Sequence, residues 1–297
     1  MIYEIRHLTS YAYARPVPFA RCILRVLPRE GDGQHVVASE LSVTPRSVER
    51  HDGICFFGNR TTTLTIAKPH RELRIETRSR VEVNRAATPF PALTRNWEEV
   101  TALAQGAQSL APDSPAQHLY PSRLVPTVDE ITAYAQESFQ ARRPVFEAAC
   151  ELMGRVRRDF TYDPEATEVS TPIREAFAQR HGVCQDFAHI MIAGLKGLGL
   201  PAAYVSGYLR TIPPPGQPRL EGADATHAWV AVWCGRAIGW IGLDPTNGVI
   251  AAEDHVVLAL GRDYSDAAPV DGIIVTSGDH QLDVEVDVVA VQGYDAG

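Results

Sequence analysis

Short runs that alternate between apolar and polar residues fill the first 86 positions of the chain. Turn-forming residues, mostly Gly, Asp and Asn, separate these runs. The runs lie at residues 3–7, 22–26, 41–43, 55–57, 61–65 and 73–77. Several short strands with frequent turn signals are typical of an antiparallel sandwich. We therefore predict an N-terminal β-sandwich domain over residues 1–86.

The pattern then becomes proline-rich and, after that, helical. Residues 87–126 contain six prolines and little periodicity, which predicts a connecting segment with one short helix at 97–105. Thr127, followed three residues later by Glu130, has the form of a capping box and indicates a helix start. Apolar residues recur at helical spacing over 145–159, which predicts a second helix.

Helices and strands are predicted together after residue 160. Ser170-Thr171-Pro172 is typical of a helix start, so we expect a helix over 173–179 and another that begins at Cys184. Strands are predicted at 203–209, 228–233, 239–243, 273–275 and 282–289, with a proline-rich exposed loop at 213–216. This order predicts an α+β domain over residues 127–297, in which a helix bearing Cys184 packs against an antiparallel sheet.

Composition excludes several classes of protein. The formal net charge is -8 and no Lys/Arg block is present, so neither nucleic acid nor a membrane surface is expected as a partner. No apolar run approaches the roughly 18 residues of a spanning helix, and the first residues do not resemble a signal peptide. None of the five cysteines forms a C-x-x-C pair. A reduced, cytoplasmic protein with free thiols is therefore expected.

Cys184 is the candidate nucleophile. A thiol attacks as a thiolate, and unpaired N–H groups at a helix start stabilise an anion. These N–H groups can also donate to an oxyanion. Gly182 allows a tight entry into the helix. The alternative is that Cys184 is a structural thiol, which is the commonest role of a lone cysteine.

His227 and Asp244 complete a candidate triad. If strands 228–233 and 239–243 form a hairpin, both residues stand at the same open end of adjacent strands. His227 can then act as a base near neutral pH, and Asp244 can orient the imidazole and stabilise its charged form. Taken singly, His227 could be a strand-edge histidine and Asp244 a turn residue.

Three motifs resemble the core of the bacterial transglutaminase-like superfamily: GVCQDFAH (182–189), GADATHAW (222–229) and GLDPTN (242–247). Many members of this superfamily are described as cysteine proteases, and the order Cys, His, Asp also resembles papain-like enzymes. Residues 1–85 look like the β-rich N-terminal domain that accompanies this core in bacteria. The resemblance implies a Cys184–His227–Asp244 triad and no particular substrate.

Other residues near the motifs have less specific interpretations. His189 lies about 140° around the helix from Cys184 and is expected to pack or to support the site. Asp186 is expected to stabilise the helix start, and His181 is a rival base in a loop. Tyr162 is a candidate oxyanion donor, or simply a packed tyrosine. Tryptophans 229, 233 and 240 are expected in the hairpin core or a cleft wall.

The expected reaction is acyl transfer from a peptide or protein amide, without a cofactor. Cys184 would attack the carbonyl to give a thioester, which water or an amine resolves. Two alternatives remain open at this stage. One is a zinc site formed by Cys184, His227 and Asp244, although structural zinc sites prefer closely spaced ligand pairs. The other is a non-catalytic scaffold that binds peptides. The oligomeric state is not indicated.

Overall fold

The computed structural model describes residues 1–211, 225–275 and 278–291. The predicted loop at 213–216 lies outside them. The described elements are β1 (Ile2–Val17), β2 (Phe19–Leu24), β3 (Gln34–Thr44), β4 (Glu49–Ile54), β5 (Arg60–Ile66), β6 (His70–Val83), α1 (Trp97–Gln105), α2 (Asp129–Gln136), α3 (Val145–Asp159), β7 (Thr161–Tyr162), α4 (Ile173–Gln179), β8 (His181–Gly182), α5 (Cys184–Gly197), β9 (Ala202–Leu209), β10 (Ala225–Trp233), β11 (Trp240–Asp244), β12 (Val249–Ile250), β13 (His255–Gly261), α6 (Tyr264–Ala267), β14 (Val270–Val275) and β15 (His280–Val291).

Two four-stranded antiparallel sheets form the N-terminal sandwich, with strand orders β15-β1-β6-β3 and β14-β2-β5-β4. Alternate residues of both sheets point inward and share one apolar core. That core includes Tyr13, Leu41, Leu73 and Ile75 from the first sheet and Leu24, Leu64 and Ile66 from the second. The predicted strand at 55–57 is wrong, because these residues form the turn between β4 and β5.

The last two strands join the N-terminal sheets. β15 pairs with β1 over twelve positions, from Tyr13 opposite His280 to Ile2 opposite Val291, and β14 pairs with β2. The sequence pattern had grouped both strands with residues 127–297. Strand pairing is long-range, and alternation alone does not say which edge a strand joins.

The second unit is a helix packed on a five-stranded sheet of order β12-β11-β10-β9-β13. α5 lies against β9 and β10, and its apolar face is buried with theirs. This is the predicted α+β core. α1 and α3 have the predicted bounds. The predicted cap at Thr127 is wrong: α2 begins at Asp129 after Val128, and no side chain caps it.

The two units share an apolar contact and a set of hydrogen bonds. Buried residues of the first sheet, among them Tyr3, Val81 and Val286, pack against Tyr208 of β9 and against Val256 and Leu258 of β13. The side-chain amides of Gln34 and Asn59 also bond to both backbone groups of Val257 and Leu260, at 2.7–2.8 Å. These amides satisfy backbone N–H and C=O groups at the edge of β13, which a further strand would otherwise pair with. No helix in the described part of the chain is long and apolar enough to cross a membrane.

Candidate active site

The start of α5 is defined by a carboxylate. Asp186, in the first turn, accepts a hydrogen bond from the Val183 N–H at 2.8 Å and another from the Thr167 hydroxyl at 2.6 Å. This is the acidic half of a capping box, so Asp186 stabilises the helix start as predicted. A Cβ on Gly182 would lie 2.6 Å from the Asp186 carboxylate. Glycine is therefore needed for this entry into the helix, which places Cys184 as its first residue.

Cys184 is partly buried at this helix start. The first N–H groups of a helix have no intrahelical acceptor, so the helix start favours an anionic sulfur. The short parallel pair β7–β8 brings Tyr162 alongside Gly182, two residues before the thiol. Tyr162 is 52% exposed. Burial, and then the nearby charge of Cys184, raise the pKa of Tyr162.

The hairpin predicted from sequence is present. β10 and β11 pair antiparallel with Val230 opposite Leu243, so His227 and Asp244 are diagonal neighbours on one face. Nε2 of His227 lies 2.8 Å from the Asp244 carboxylate. The His227 side chain is 9% exposed and that of Asp244 is fully buried.

Asp244 accepts hydrogen bonds at both carboxylate oxygens. Oδ1 accepts the backbone N–H groups of Thr246 and Asn247, at 3.0 and 3.1 Å. Oδ2 accepts from His227 at 2.8 Å, from the Asn247 side chain at 2.7 Å and from Nε2 of His255 at 3.2 Å. Burial alone would raise the pKa of Asp244, but the bonds to His227 and His255 outweigh it and hold that pKa well below its usual range. Asp244 is therefore a carboxylate at neutral pH.

His227 also contacts the thiol. Burial would lower the pKa of His227, but hydrogen bonds to Asp244 and to Cys184 outweigh this effect and raise the pKa to about 9. Because Nε2 faces Asp244, Nδ1 is the ring nitrogen left for the sulfur. The imidazole is therefore protonated at neutral pH, and a protonated imidazole stabilises a thiolate next to it. The structure thus brings His227 and Asp244 into hydrogen-bond contact, with Cys184 close enough to affect the pKa of the imidazole.

Two family models match the sequence. The bacterial transglutaminase-like N-terminal region matches residues 3–82, and the transglutaminase-like superfamily core matches residues 132–245. A protein of Mycobacterium tuberculosis is 37% identical over 296 residues, covering 98% of this chain and 93% of its own length. The chain belongs to the transglutaminase-like superfamily.

One further protein resembles part of the sequence, and one solved structure resembles the fold. A protein-glutamine gamma-glutamyltransferase of Pseudomonas aeruginosa is 31% identical over 121 residues, which is 39% of this chain and 18% of that protein. The crystal structure of a "Putative Cysteine Protease" from Cytophaga hutchinsonii has a TM-score of 0.76 and 21% identity, and covers 99% of this chain and 91% of that one. This second likeness extends the shared fold to both units.

His255 and Asn247 are site residues of this transglutaminase-like core to which sequence analysis assigned no role. Nδ1 of His255 accepts the backbone N–H of Ala252 at 3.4 Å, so Nε2 carries the proton that is donated to Asp244. Asn247 lies in the third motif, but its contact with Asp244 depends on how the turn folds. His255 begins β13, which is separated in the sheet from β11, the strand of Asp244, by β9 and β10. No local sequence pattern therefore indicates that His255 reaches Asp244.

The remaining histidines near the transglutaminase-like motifs are engaged elsewhere. His189 accepts the N–H of Tyr264 at 3.1 Å, and burial lowers the pKa of His189 to about 4. It is a neutral packing residue, in agreement with the prediction. His181, the rival base, is exposed and hydrogen-bonded to the carbonyl of Gln179 at 2.7 Å. The first three residues of the second motif, 222–224, lie outside the described residues.

Three potential metal ligands lie together beside the thiol-bearing helix. The ligand atoms that lie together, within 4.8 Å of one another, belong to His227, Asp244 and His255. This differs from the predicted zinc set, because His255 takes the place of Cys184. Nε2 of both histidines faces Asp244 as a hydrogen-bond partner. A metal ligand must offer an unprotonated nitrogen, so these hydrogen bonds oppose metal binding in the arrangement seen.

Proposed function

We propose that this protein is a cysteine enzyme that transfers the acyl group of an amide to water or to an amine. One observation carries the proposal: His227 is hydrogen-bonded to a fully buried Asp244, and Cys184 lies near enough to the imidazole to help raise its pKa. A nucleophilic thiol requires a base within reach and a group that orients the base. A structural thiol would require neither.

The proposed reaction starts from an ion pair, in which the Cys184 proton has already passed to the imidazole of His227 and leaves a thiolate beside it. The sulfur forms a bond to the amide carbonyl carbon, and the C=O electron pair moves to oxygen. The backbone N–H of Cys184 is the first oxyanion donor, and the Tyr162 hydroxyl is the second candidate. Collapse of this intermediate breaks the C–N bond, and His227 returns the proton to the leaving ammonia or amine. His227 then deprotonates water or an amine, which displaces the thiol from the thioester.

A glutamine side-chain amide is the first substrate class to test. The aligned Pseudomonas segment belongs to a protein named for glutamine gamma-glutamyl transfer, and a primary amide needs only ammonia as its leaving group. Peptide bonds are the second class. The cytoplasmic location and a reaction without a cofactor remain predictions, and a peptide-binding scaffold without activity is the alternative outcome.

The direct test is capture of the acyl-enzyme. The protein is incubated with a glutamine peptide or a cell-wall peptide, quenched in acid and examined by intact mass and peptide mapping. We expect an adduct on Cys184 equal to the acyl fragment alone, with ammonia or an amine released in equal amount. The matched control is the same glutamine peptide with methionine in place of glutamine, because methionine has similar size and no amide. Absence of an adduct across all the amide peptides would favour the scaffold.

The pH dependence of alkylation tests the state of the thiol without any substrate. At pH 6, iodoacetamide should modify Cys184 well before the other cysteines, because only a thiolate reacts at an appreciable rate. His227 is protonated below its pKa of about 9, so its stabilising charge is present at pH 6 and is lost above pH 9. Burial raises the pKa of Cys22 and Cys150 to about 11 and that of Cys234 to about 12.

His227→Ala is the control for this profile. It removes the positive charge and leaves the helix start in place, so labelling of Cys184 should move to higher pH. Tryptic mapping with mass spectrometry measures each cysteine separately. Equal labelling rates at pH 6 for all five cysteines would count against the catalytic assignment.

A further inference from the structure

A cavity of about 1000 Å³ lies between the two units. Its floor is the face of the five-stranded sheet that carries Trp229. Its walls come from loops of the N-terminal sandwich, at Arg29 and Phe57, from the residues just after β6, at Arg85, and from the connecting segment, at Pro112. Pockets that hold small ligands are typically about 300–1,000 Å³ and often lie at domain boundaries. The cavity therefore has the size and the place of a binding site.

The cavity is separate from the thiol. Neither Cys184, His227 nor Asp244 lines it. Trp229 lines the cavity, and its ring centroid lies 6.2 Å from that of His227 in a stacked arrangement. A ligand in the cavity would therefore lie against Trp229.

The walls are rigid and mainly apolar. Phe57, Trp229, Trp240 and Leu260 contribute apolar surface. The connecting segment is fixed to the core by the Trp240 indole N–H, which donates to the Asp113 carbonyl at 3.0 Å. The amide contacts of Gln34 and Asn59 with β13 hold the sandwich against the same sheet. A preformed apolar cavity of this kind suits a flat or bulky apolar ligand.

Two arginines, Arg29 and Arg85, line the cavity. Arg85 donates to three backbone carbonyls, those of Ala252 at 3.1 Å, Asp32 at 2.7 Å and His255 at 2.9 Å. Arg29 donates to the carbonyl of Phe57 at 3.3 Å. In the parts of the chain that the structure describes, neither arginine forms a salt bridge with a carboxylate. Burial lowers the pKa of both arginines, and the nearby charge of Asp32 opposes this effect.

The acidic residues of the cavity lie at its rim. The side chains of Asp32, Asp113 and Glu253 are exposed, so water screens their charges. The half-buried guanidinium groups are screened less. A charge that is removed from water without a partner is costly, and an anion that binds beside it recovers part of that cost.

We propose that this cavity binds a small ligand with an apolar, preferably aromatic, body and one anionic group, the body against Trp229 and Trp240 and the anion beside Arg29. The proposal does not depend on the acyl-transfer reaction. It concerns a cavity whose lining does not include the thiol, and its test measures binding alone.

The test uses two dyes that differ in charge. 8-Anilinonaphthalene-1-sulfonate has an aromatic body and a sulfonate, and N-phenyl-1-naphthylamine has the same body without the charge. We expect the sulfonate dye to bind the full-length protein at one site, with quenching of tryptophan emission by energy transfer. Arg29→Gln should weaken binding of the sulfonate dye about tenfold, as expected for loss of a charged hydrogen bond, and should leave the neutral dye unchanged.

Two further variants complete the design. Arg174→Gln removes an exposed arginine on α4 and should leave both affinities unchanged. Ala203→Phe places a ring on the cavity floor and should weaken binding of both dyes. If Ala203→Phe does not fold, as judged by circular dichroism, the affinities of the wild type and Arg29→Gln for the two dyes test the proposal. Equal affinity of the sulfonate dye for the wild type and Arg29→Gln, or no saturable binding to the wild type, would overturn the proposal.

Discussion

Replacing Cys184 with serine should abolish acyl transfer and leave the protein folded. Serine keeps the size of the side chain at the start of α5, but its hydroxyl is a much weaker nucleophile than a thiolate. We expect activity to fall by at least about 10³-fold. The change removes no hydrogen bond within the Asp244 network, so the melting temperature should move by only about 2–4 °C, equivalent to roughly 1 kcal/mol for a chain of this size.

Thioester formation, melting temperature and bound zinc would be measured on the wild type and the variant together. Cys150→Ser is the matched control, because Cys150 is also partly buried and free but lies on α3. It should keep full activity. Stoichiometric zinc in the wild type, together with collapse of stability in Cys184→Ser, would contradict the acyl-transfer proposal. Unchanged peptide binding with no turnover in either protein would support a scaffold.

Replacing Asp244 with asparagine should lower activity by about 10³- to 10⁴-fold. The amide oxygen can still accept the N–H groups of Thr246 and Asn247. The amide NH₂ then points at His227 and donates to Nε2, which leaves the proton on Nδ1. Nδ1 can no longer accept the thiol proton, so the base is lost while the side chains stay in place.

Stability should also change in this variant. Three donors that now bond to Oδ2 would face an NH₂ group, at a cost of about 1–3 kcal/mol. Thermal melts and kcat/KM on a confirmed substrate separate the two effects. Asp263→Asn is the comparison, because Asp263 is equally buried and accepts backbone N–H groups of Leu124 and Ser265. Full activity of Asp244→Asn would show that another group orients His227.

The approach of His227 to Asp244 was predictable because each part has a local signature. The thiol follows a glycine at a helix start, and His227 and Asp244 lie in two strands joined by a short turn. Hydrogen bonding within a hairpin then determines their approach. His255 could not be predicted in the same way, because its contact with Asp244 requires the sheet order β12-β11-β10-β9-β13, which sequence periodicity does not encode.

The cavity and the final two strands also depend on long-range contacts that sequence periodicity does not encode. Arg29, Arg85 and Trp229 are far apart in sequence, and each looks ordinary in its own segment. Their convergence depends on how the sandwich sits against the core. Likewise, the alternation in 282–289 predicts a strand but not its partner. Helices α1, α3 and α4 were predicted with their observed bounds because helix periodicity and end signals are local.

β14 pairs with β2 and β15 pairs with β1, so the C-terminal part of the chain completes the N-terminal sandwich. The two units are therefore interdependent. A fragment cut at residue 126 would leave β1 and β2 each with one open edge, and open edges tend to pair with other chains. The complementary fragment would carry two strands without a sheet. During synthesis, the sandwich can be completed only after the core between its strands has been made. Folding of the first unit is therefore expected to finish last. A compact core would bring β14 and β15 close to β2 and β1, so that these strands can pair.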